Sequence, residues 1–173
     1  MVKTKIQSGF AFLAVVLVLI ALAIACSGSS TSEPDLVGKV GETINTGKFA
    51  ITVSSVTSRN RVGNEYFNEK APAGATFIAV NFNYKNISKE PISSFSVPDV
   101  KLIDPNNVTY EPAVGASGYY AAQINLNKKV ASDLNPGISQ TDAAVFEVSK
   151  EIWAQKGWKI RISADKNIDI TIN

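Results

Sequence analysis

The 173-residue chain has no histidine and one cysteine, Cys26. Without imidazole there is no Ser-His-Asp or Cys-His pair, no histidine zinc ligand and no histidine general base. A lone thiol excludes an internal disulfide and a cysteine-rich metal site. Charge is sparse and nearly balanced, with 17 Lys and Arg against 15 Asp and Glu, a formal charge of +2. That is too little for binding driven by nucleic-acid phosphates. Helical stripes are missing too. No long segment repeats apolar residues every three to four positions. There is no Gly-x-Ser-x-Gly elbow, no Ser-x-x-Lys motif with its partner motifs, and no glycine-rich phosphate loop. The chain therefore reads as a non-enzyme with no cofactor.

The N-terminus is a different polymer from the rest. Lys3 and Lys5 form a short basic head, and Phe10 to Ala25 runs without a charged or strongly polar side chain. A membrane-spanning helix needs about 20 apolar residues, and this run is shorter. It has the length of a signal-peptide core. Ala23-Ile24-Ala25-Cys26 follows, and it resembles the lipobox of prokaryotic lipoproteins. The resemblance implies cleavage before Cys26 and attachment of acyl chains to its sulfur and new amino group. The usual Leu of the box sits one place early, at Leu22. An uncleaved anchor, or a secreted protein with a free Cys26, are the alternatives. Ser27 to Pro34 has the composition of a flexible tether. The organisation is thus a signal peptide at 1–25, a lipidated cysteine and linker at 26–36, and one domain at 37–173. Losing Lys3 and Lys5 leaves 15 basic against 15 acidic side chains. The expected place is the outer face of a cell membrane, held there by lipid.

Beyond Leu36 the apolar period is two. Phe49, Ile51 and Val53 alternate with polar or small residues. So do Ile78, Val80, Phe82 and Tyr84; Ala144, Phe146 and Val148; Trp158, Ile160 and Ile162; and Ile168, Ile170 and Ile172. Each predicts a strand with one face in the core and one in water. Pro98 confines the Phe95–Ile103 stretch to an edge or splits it. Lys150 to Lys156 predicts one helical turn, capped by Ser149 and stopped by Gly157. Short strands and turn-rich connections point to an antiparallel all-β sandwich or barrel.

The order of these pieces carries a family resemblance. Val40-Gly41-Glu42-Thr43-Ile44 precedes Gly47 to Val56, then Pro72 to Phe82, Tyr84-Lys85-Asn86, Val100 to Asp104, Leu134-Asn135-Pro136-Gly137 and Val145 to Val148. It resembles an immunoglobulin-like domain of unknown function found in Gram-positive and archaeal lipoproteins, related to secreted immunoprotective antigens. The resemblance implies an immunoglobulin-like antiparallel β-sandwich outside the membrane, and no catalytic residues.

Four aromatic residues stand out as candidates for recognition. Tyr119 and Tyr120 lie in Gly115 to Gln123, read as a loop, where tyrosine offers amphipathic contact area. Tyr66 and Phe67 lie in the long Arg59–Gly74 segment, which is either a functional loop or a solvated insertion. Asp99, Asp104, Asn106 and Asn107 supply oxygens but match no calcium-loop spacing, so no metal is expected. Trp158 reads as core and Trp153 as a plug at the end of the sandwich. Asn86-Ile87-Ser88 and Asn107-Val108-Thr109 fit the N-glycosylation rule. The expected function is non-catalytic binding of a protein or envelope component through loops or a sheet edge. An accessory subunit of a membrane complex and an extracytoplasmic small-ligand carrier are the alternatives.

Overall fold

The computed structural model describes residues 34–126 and 132–172. The expected signal peptide, Cys26 and most of the expected linker lie outside them. The strands are β1 (Leu36–Lys39), β2 (Thr43–Asn45), β3 (Phe49–Arg59), β4 (Arg61–Gly63), β5 (Asn68–Lys70), β6 (Ala75–Asn86), β7 (Asp99–Ile103), β8 (Thr109–Tyr110), β9 (Ser139–Ser149), β10 (Lys159–Ser163) and β11 (Asn167–Thr171). Helix α1 is Val114–Gln123, and α2 is the short turn Lys150–Trp153.

Two sheets form the domain. One has the order β1-β11-β10-β7-β8 and the other β2-β3-β6-β9, with β4-β5 as a separate hairpin. Pairing is antiparallel except between β1 and β11, which run in the same direction. The alternations read from the sequence supply the core. Phe49, Ile51, Val53, Ile78, Val80, Phe82, Phe146, Ile160, Ile162, Ile168 and Ile170 are buried in one cluster. Trp158 joins them, and Trp153 packs on it at 4.9 Å between ring centroids. β7 begins directly after Pro98, so the proline splits the stretch rather than sitting in an edge strand. β3 shifts register between Val53 and Ser55. This bulge explains why the inward series Phe49, Ile51, Val53 resumes at Val56 instead of Ser55.

Four expectations need correction. Gly115 to Gln123 is not a loop; it lies within α1. Two glycines lower its intrinsic helix propensity, but burial of Ala116 and Tyr120 overrides that cost. The Arg59–Gly74 segment holds the β4–β5 hairpin. The outward face of the four-stranded sheet is only half wet. Phe77, Ala79 and Val145 point outward, yet all are buried with Val62 beneath α1. The helix docks by its first turn. Ala113 N–H donates to Val145 O at 2.7 Å, and Val145 N–H donates to Ser117 Oγ at 2.9 Å. α2 forms where one turn was expected, but Ser149 gives no side-chain cap.

Polar groups fasten the loops. Asp165, between β10 and β11, accepts from Thr46 Oγ1, and from Lys48 N–H at 3.0 Å, so it ties the two sheets at one end. Asn86 is fully buried and spends its whole amide. Its Nδ2 donates to Glu90 O and Leu134 O at 2.8 and 2.7 Å. Its Oδ1 accepts from Ser88 N–H and Ser88 Oγ. The first sequon is therefore an internal hinge pin in the folded domain.

Candidate functional site

Below the helix, the outer face of the four-stranded sheet is open. Pairing places Thr43 opposite Thr52, Thr52 opposite Asn83, and Asn83 opposite Thr141. Partners across a ladder share a face, so these four side chains form one row over β2, β3, β6 and β9. At about 4.8 Å per strand the row spans roughly 14 Å. Thr43 Oγ1 and Thr52 Oγ1 share a hydrogen bond of 2.7 Å, and Asn83 Nδ2 donates weakly to Thr141 Oγ1 at 3.4 Å. The next row toward the helix is Ser55, Asn81 and Ala143, with Ser54 extruded at the bulge.

Asn81 sits at the boundary between the covered and open halves. Its Nδ2 donates to Ser55 Oγ at 2.9 Å and to Tyr120 Oη at 3.0 Å. Its Oδ1 is buried and takes no hydrogen bond. An unsatisfied buried acceptor costs about 1–3 kcal/mol, so it marks a position where the fold leaves hydrogen-bonding capacity unused.

The same region holds a cleft of about 830 Å³. Its polar wall includes Ser54, Asn81 and Thr141, and its apolar wall Ile124, Leu126 and Leu134. That volume is at the upper end of the range for small-ligand sites. Asp133 is the only charged residue among the described lining residues. The site offers hydroxyls and amides, and among those residues no nucleophile–base pair.

The aromatic candidates separate. Tyr120 is buried under α1, and its ring carries the Arg59 guanidinium at 5.2 Å. It supports Asn81 from below and is closed to direct contact with a ligand. Tyr119 is 36% exposed on the helix surface. Tyr66 and Phe67, at 84% and 68% exposure, form the tip of the β4–β5 hairpin. Gly63 N–H donates to Gln123 Oε1 at 3.1 Å. The hairpin thus rests against the end of α1 that leads into Ile124 and the cleft. Gly63 is required there: its φ is +104°, and an added Cβ would lie 2.2 Å from Phe67 O.

The other candidates have structural work. Asp104 Oδ1 accepts from Asn106 N–H and Val108 N–H at 2.8 Å each, and Oδ2 from Tyr110 Oη at 3.3 Å. Asn107 adopts φ +63°, so Asp104 to Asn107 is a turn built on its own carboxylate. Asp99 begins β7. Cys26 lies outside the described residues. The sequence reading passed over Thr52, Asn81, Asn83 and Thr141. Their one signal was that outward positions on three strands carried no charge at the same level.

Comparison with known proteins fits this architecture. A domain of unknown function, DUF4352, matches residues 38–156. The chain belongs to the DUF4352 family. It is 42% identical over 142 residues to the uncharacterized protein YxkC of Bacillus subtilis strain 168, covering 82% of this chain and 79% of that protein. Among solved structures, a conserved hypothetical protein from Bacillus anthracis aligns with a TM-score of 0.65 at 29% identity, over 73% of this chain and 88% of that one. A β-sandwich protein from Clostridium difficile aligns at 0.55 and 14% identity, over 80% and 95%. A Bacillus subtilis protein described as a candidate lipoprotein, ycdA, aligns at 0.51 and 14%, over 79% of this chain but only 39% of that one. The last two likenesses concern the fold alone. In DUF4352 terms, the matched span holds the polar row, the helix roof and the cleft. No helix among the described residues is long and apolar enough to cross a membrane.

Proposed function

We propose that this DUF4352 chain is a lipid-anchored extracytoplasmic binding module, and that its ligand site is the cleft beside α1. The observation that carries the reading is the cleft itself, with Ser54, Asn81 and Thr141 on one wall and Ile124, Leu126 and Leu134 on the other. Ligand sites are concave, have an apolar wall and hold a few convergent polar groups, and this one has all three. The anchor rests on Ala23-Ile24-Ala25-Cys26 and on the tether composition after it. The described neighbour ycdA, a candidate lipoprotein with a similar sandwich, agrees with that placement. Catalysis is not part of the proposal.

Two measurements test the two halves. Intact mass of the membrane-extracted protein is expected to show loss of residues 1–25 and gain of acyl chains, both abolished by Cys26→Ala. A full-length unlipidated mass would overturn the anchor. For the cleft, the detergent-solubilised full chain is expected to retain solubilised cell-envelope material, and Ser54→Arg with Thr141→Arg, both on the cleft wall, to release it. Retention that ignores this double change would remove the cleft from the function.

A further inference from the structure

We infer that the end of the sandwich where the described chain begins rests on the surface of the lipid bilayer, with Phe95 as its apolar foot. This rests on the lipid-anchored half of the proposed function and not on the cleft. Strand register gathers that end. Asn86 lies opposite Phe49 and Ser139 opposite Lys85, so residues 87–98 and 135–138 join the sheet where β3 begins. Lys48 N–H donates to Asp165 Oδ2 at 3.0 Å, which brings in the β10–β11 turn. Asp35 N–H donates to Asn167 O at 3.0 Å, and Asn167 N–H donates to Asp35 Oδ2 at 2.9 Å. The described chain therefore starts at this same end.

Three large apolar side chains are exposed there. Phe95 is 97% exposed, Ile138 51% and Ile87 41%. Phe95 is held out by an ordered turn. Ile92, three residues before it, is buried and exchanges both backbone hydrogen bonds with Leu134, at 3.0 and 2.8 Å. Ser93 O accepts from Ser96 N–H at 2.9 Å, and Val97 packs on the core. A turn fastened on both sides thus carries an aromatic ring into solvent. Single exposed apolar side chains need no explanation. Three on the end from which the chain runs to Cys26 are placed where a bilayer can cover them.

Reach decides which surface meets them. Pro34 is eight residues after Cys26. Fully extended, that stretch spans at most about 29 Å, and a coil of the same length averages about 16 Å. β3 alone has 11 residues, roughly 33 Å from end to end. An acylated Cys26 therefore keeps the Phe49 end near the bilayer, and a domain standing on its Arg59 end would need more chain than there is. Tyr66 and Phe67 belong to the hairpin that follows Arg59. The contact can be weak, because the anchor makes it intramolecular and the effective concentration of lipid high. Interfacial binding grows with the apolar area buried and with attraction to anionic lipid. Charge adds little here, since Lys48, Lys85, Lys89 and Lys166 stand among Asp35, Glu90, Asp99, Asp133 and Asp165 around this end. The contact is apolar and indifferent to the charge of the lipid.

The test uses the full chain extracted from membranes and reconstituted in vesicles that carry nitroxide-labelled lipid. One set is phosphatidylethanolamine with phosphatidylglycerol, the other phosphatidylcholine. Cys26 is the only native thiol, and acylation blocks it, so Ile138→Cys or Tyr66→Cys takes a single fluorophore. Flotation with the vesicles, lost in Cys26→Ala, reports the anchor. The label at position 138 is expected to be quenched in both lipid sets, and the label at position 66 to stay bright. Phe95→Asp should shift the ratio of contacted to free domain at least about tenfold, about 1.4 kcal/mol. Phe95 is exposed, so the variant's unfolding midpoint should match the parent's, which separates a lost contact from a lost fold. Four results in a floating chain overturn the contact and leave the anchor standing: no quenching at 138, equal quenching at 138 and 66, quenching on the anionic vesicles alone, or no effect of Phe95→Asp. A chain that does not float overturns the anchor and the contact together.

Discussion

At the scale of single residues, the polar groups inside this domain are few and each has a definite task. Asn86 holds two loops to β6 through four hydrogen bonds. Replacing it by Ala takes one of two donors from Leu134 O, which keeps Ile92 N–H, and from Glu90 O, which keeps Ser88 Oγ, and it leaves Ser88 N–H without its acceptor. The expected cost is at least about 2 kcal/mol, read from denaturant unfolding. Tyr84 is also buried. Burial, and secondarily the charge of Asp142, push its phenol up to about 12 from 10.0. The native state therefore binds this proton more tightly than the unfolded chain does. That stability is whole below pH 10 and is lost as the pH climbs toward about 12. Unfolding followed at rising pH should show the loss, and Tyr84→Phe should flatten it. On the other sheet, Arg161 and Asp169 form a bidentate pair at 2.7 and 2.9 Å with side chains 17% and 5% exposed. Asp169→Ala leaves the guanidinium poorly matched and should destabilise by about 3 kcal/mol or more, whereas an exposed pair such as Lys101–Glu111 should matter little.

At the scale of elements, the informative piece is α1. The strands were legible because each had to solve the same problem, one face dry and one wet, and a period of two is the only solution. The helix was illegible for the opposite reason. Gly115, Gly118 and paired tyrosines argue for a loop locally, and only the outward Phe77, Ala79 and Val145 explain why a helix is needed. Those three residues sit at positions that the alternation assigns to water. They were a sign of a second cover, visible once the outward face was read as carefully as the inward one. The polar row stayed hidden because its members come from four separate strands and meet only through register. Two predictions belong here. Tyr120→Ala should unseat α1, cost about 3–5 kcal/mol and free the Asn81 amide, with hydrogen exchange rising at Ala79 and Val145. Gly63→Ala should loosen the β4–β5 hairpin, since its backbone angle and the nearby Phe67 carbonyl leave no room for a methyl group.

At the scale of the whole molecule, the domain is two sheets joined by one apolar cluster and stapled at an end by Asp165. Cooperative unfolding is the expectation for such a core. Phe146→Ala, at the fully buried centre of β9, should lower stability by about 3–5 kcal/mol, and near- and far-ultraviolet circular dichroism should report the same midpoint. The division of labour is spatial. The five-stranded sheet supplies mass and closure, and the four-stranded sheet supplies both a roofed half and an open half on its outer side.

The parallel pairing of β1 and β11 sets where handles can go. Leu36 lies beside Ile168 and Lys39 beside Thr171, so the chain enters at one end of this sheet edge and its last strand leaves at the other. A fluorophore or capture tag fused after the C-terminus would depart from the end opposite the start of β1. Neither would lie on the sheet that carries the cleft. Surface immobilisation through the C-terminus should thus leave the outer face of the four-stranded sheet and the start of β1 both unobstructed, which is the arrangement a binding assay on the intact protein requires.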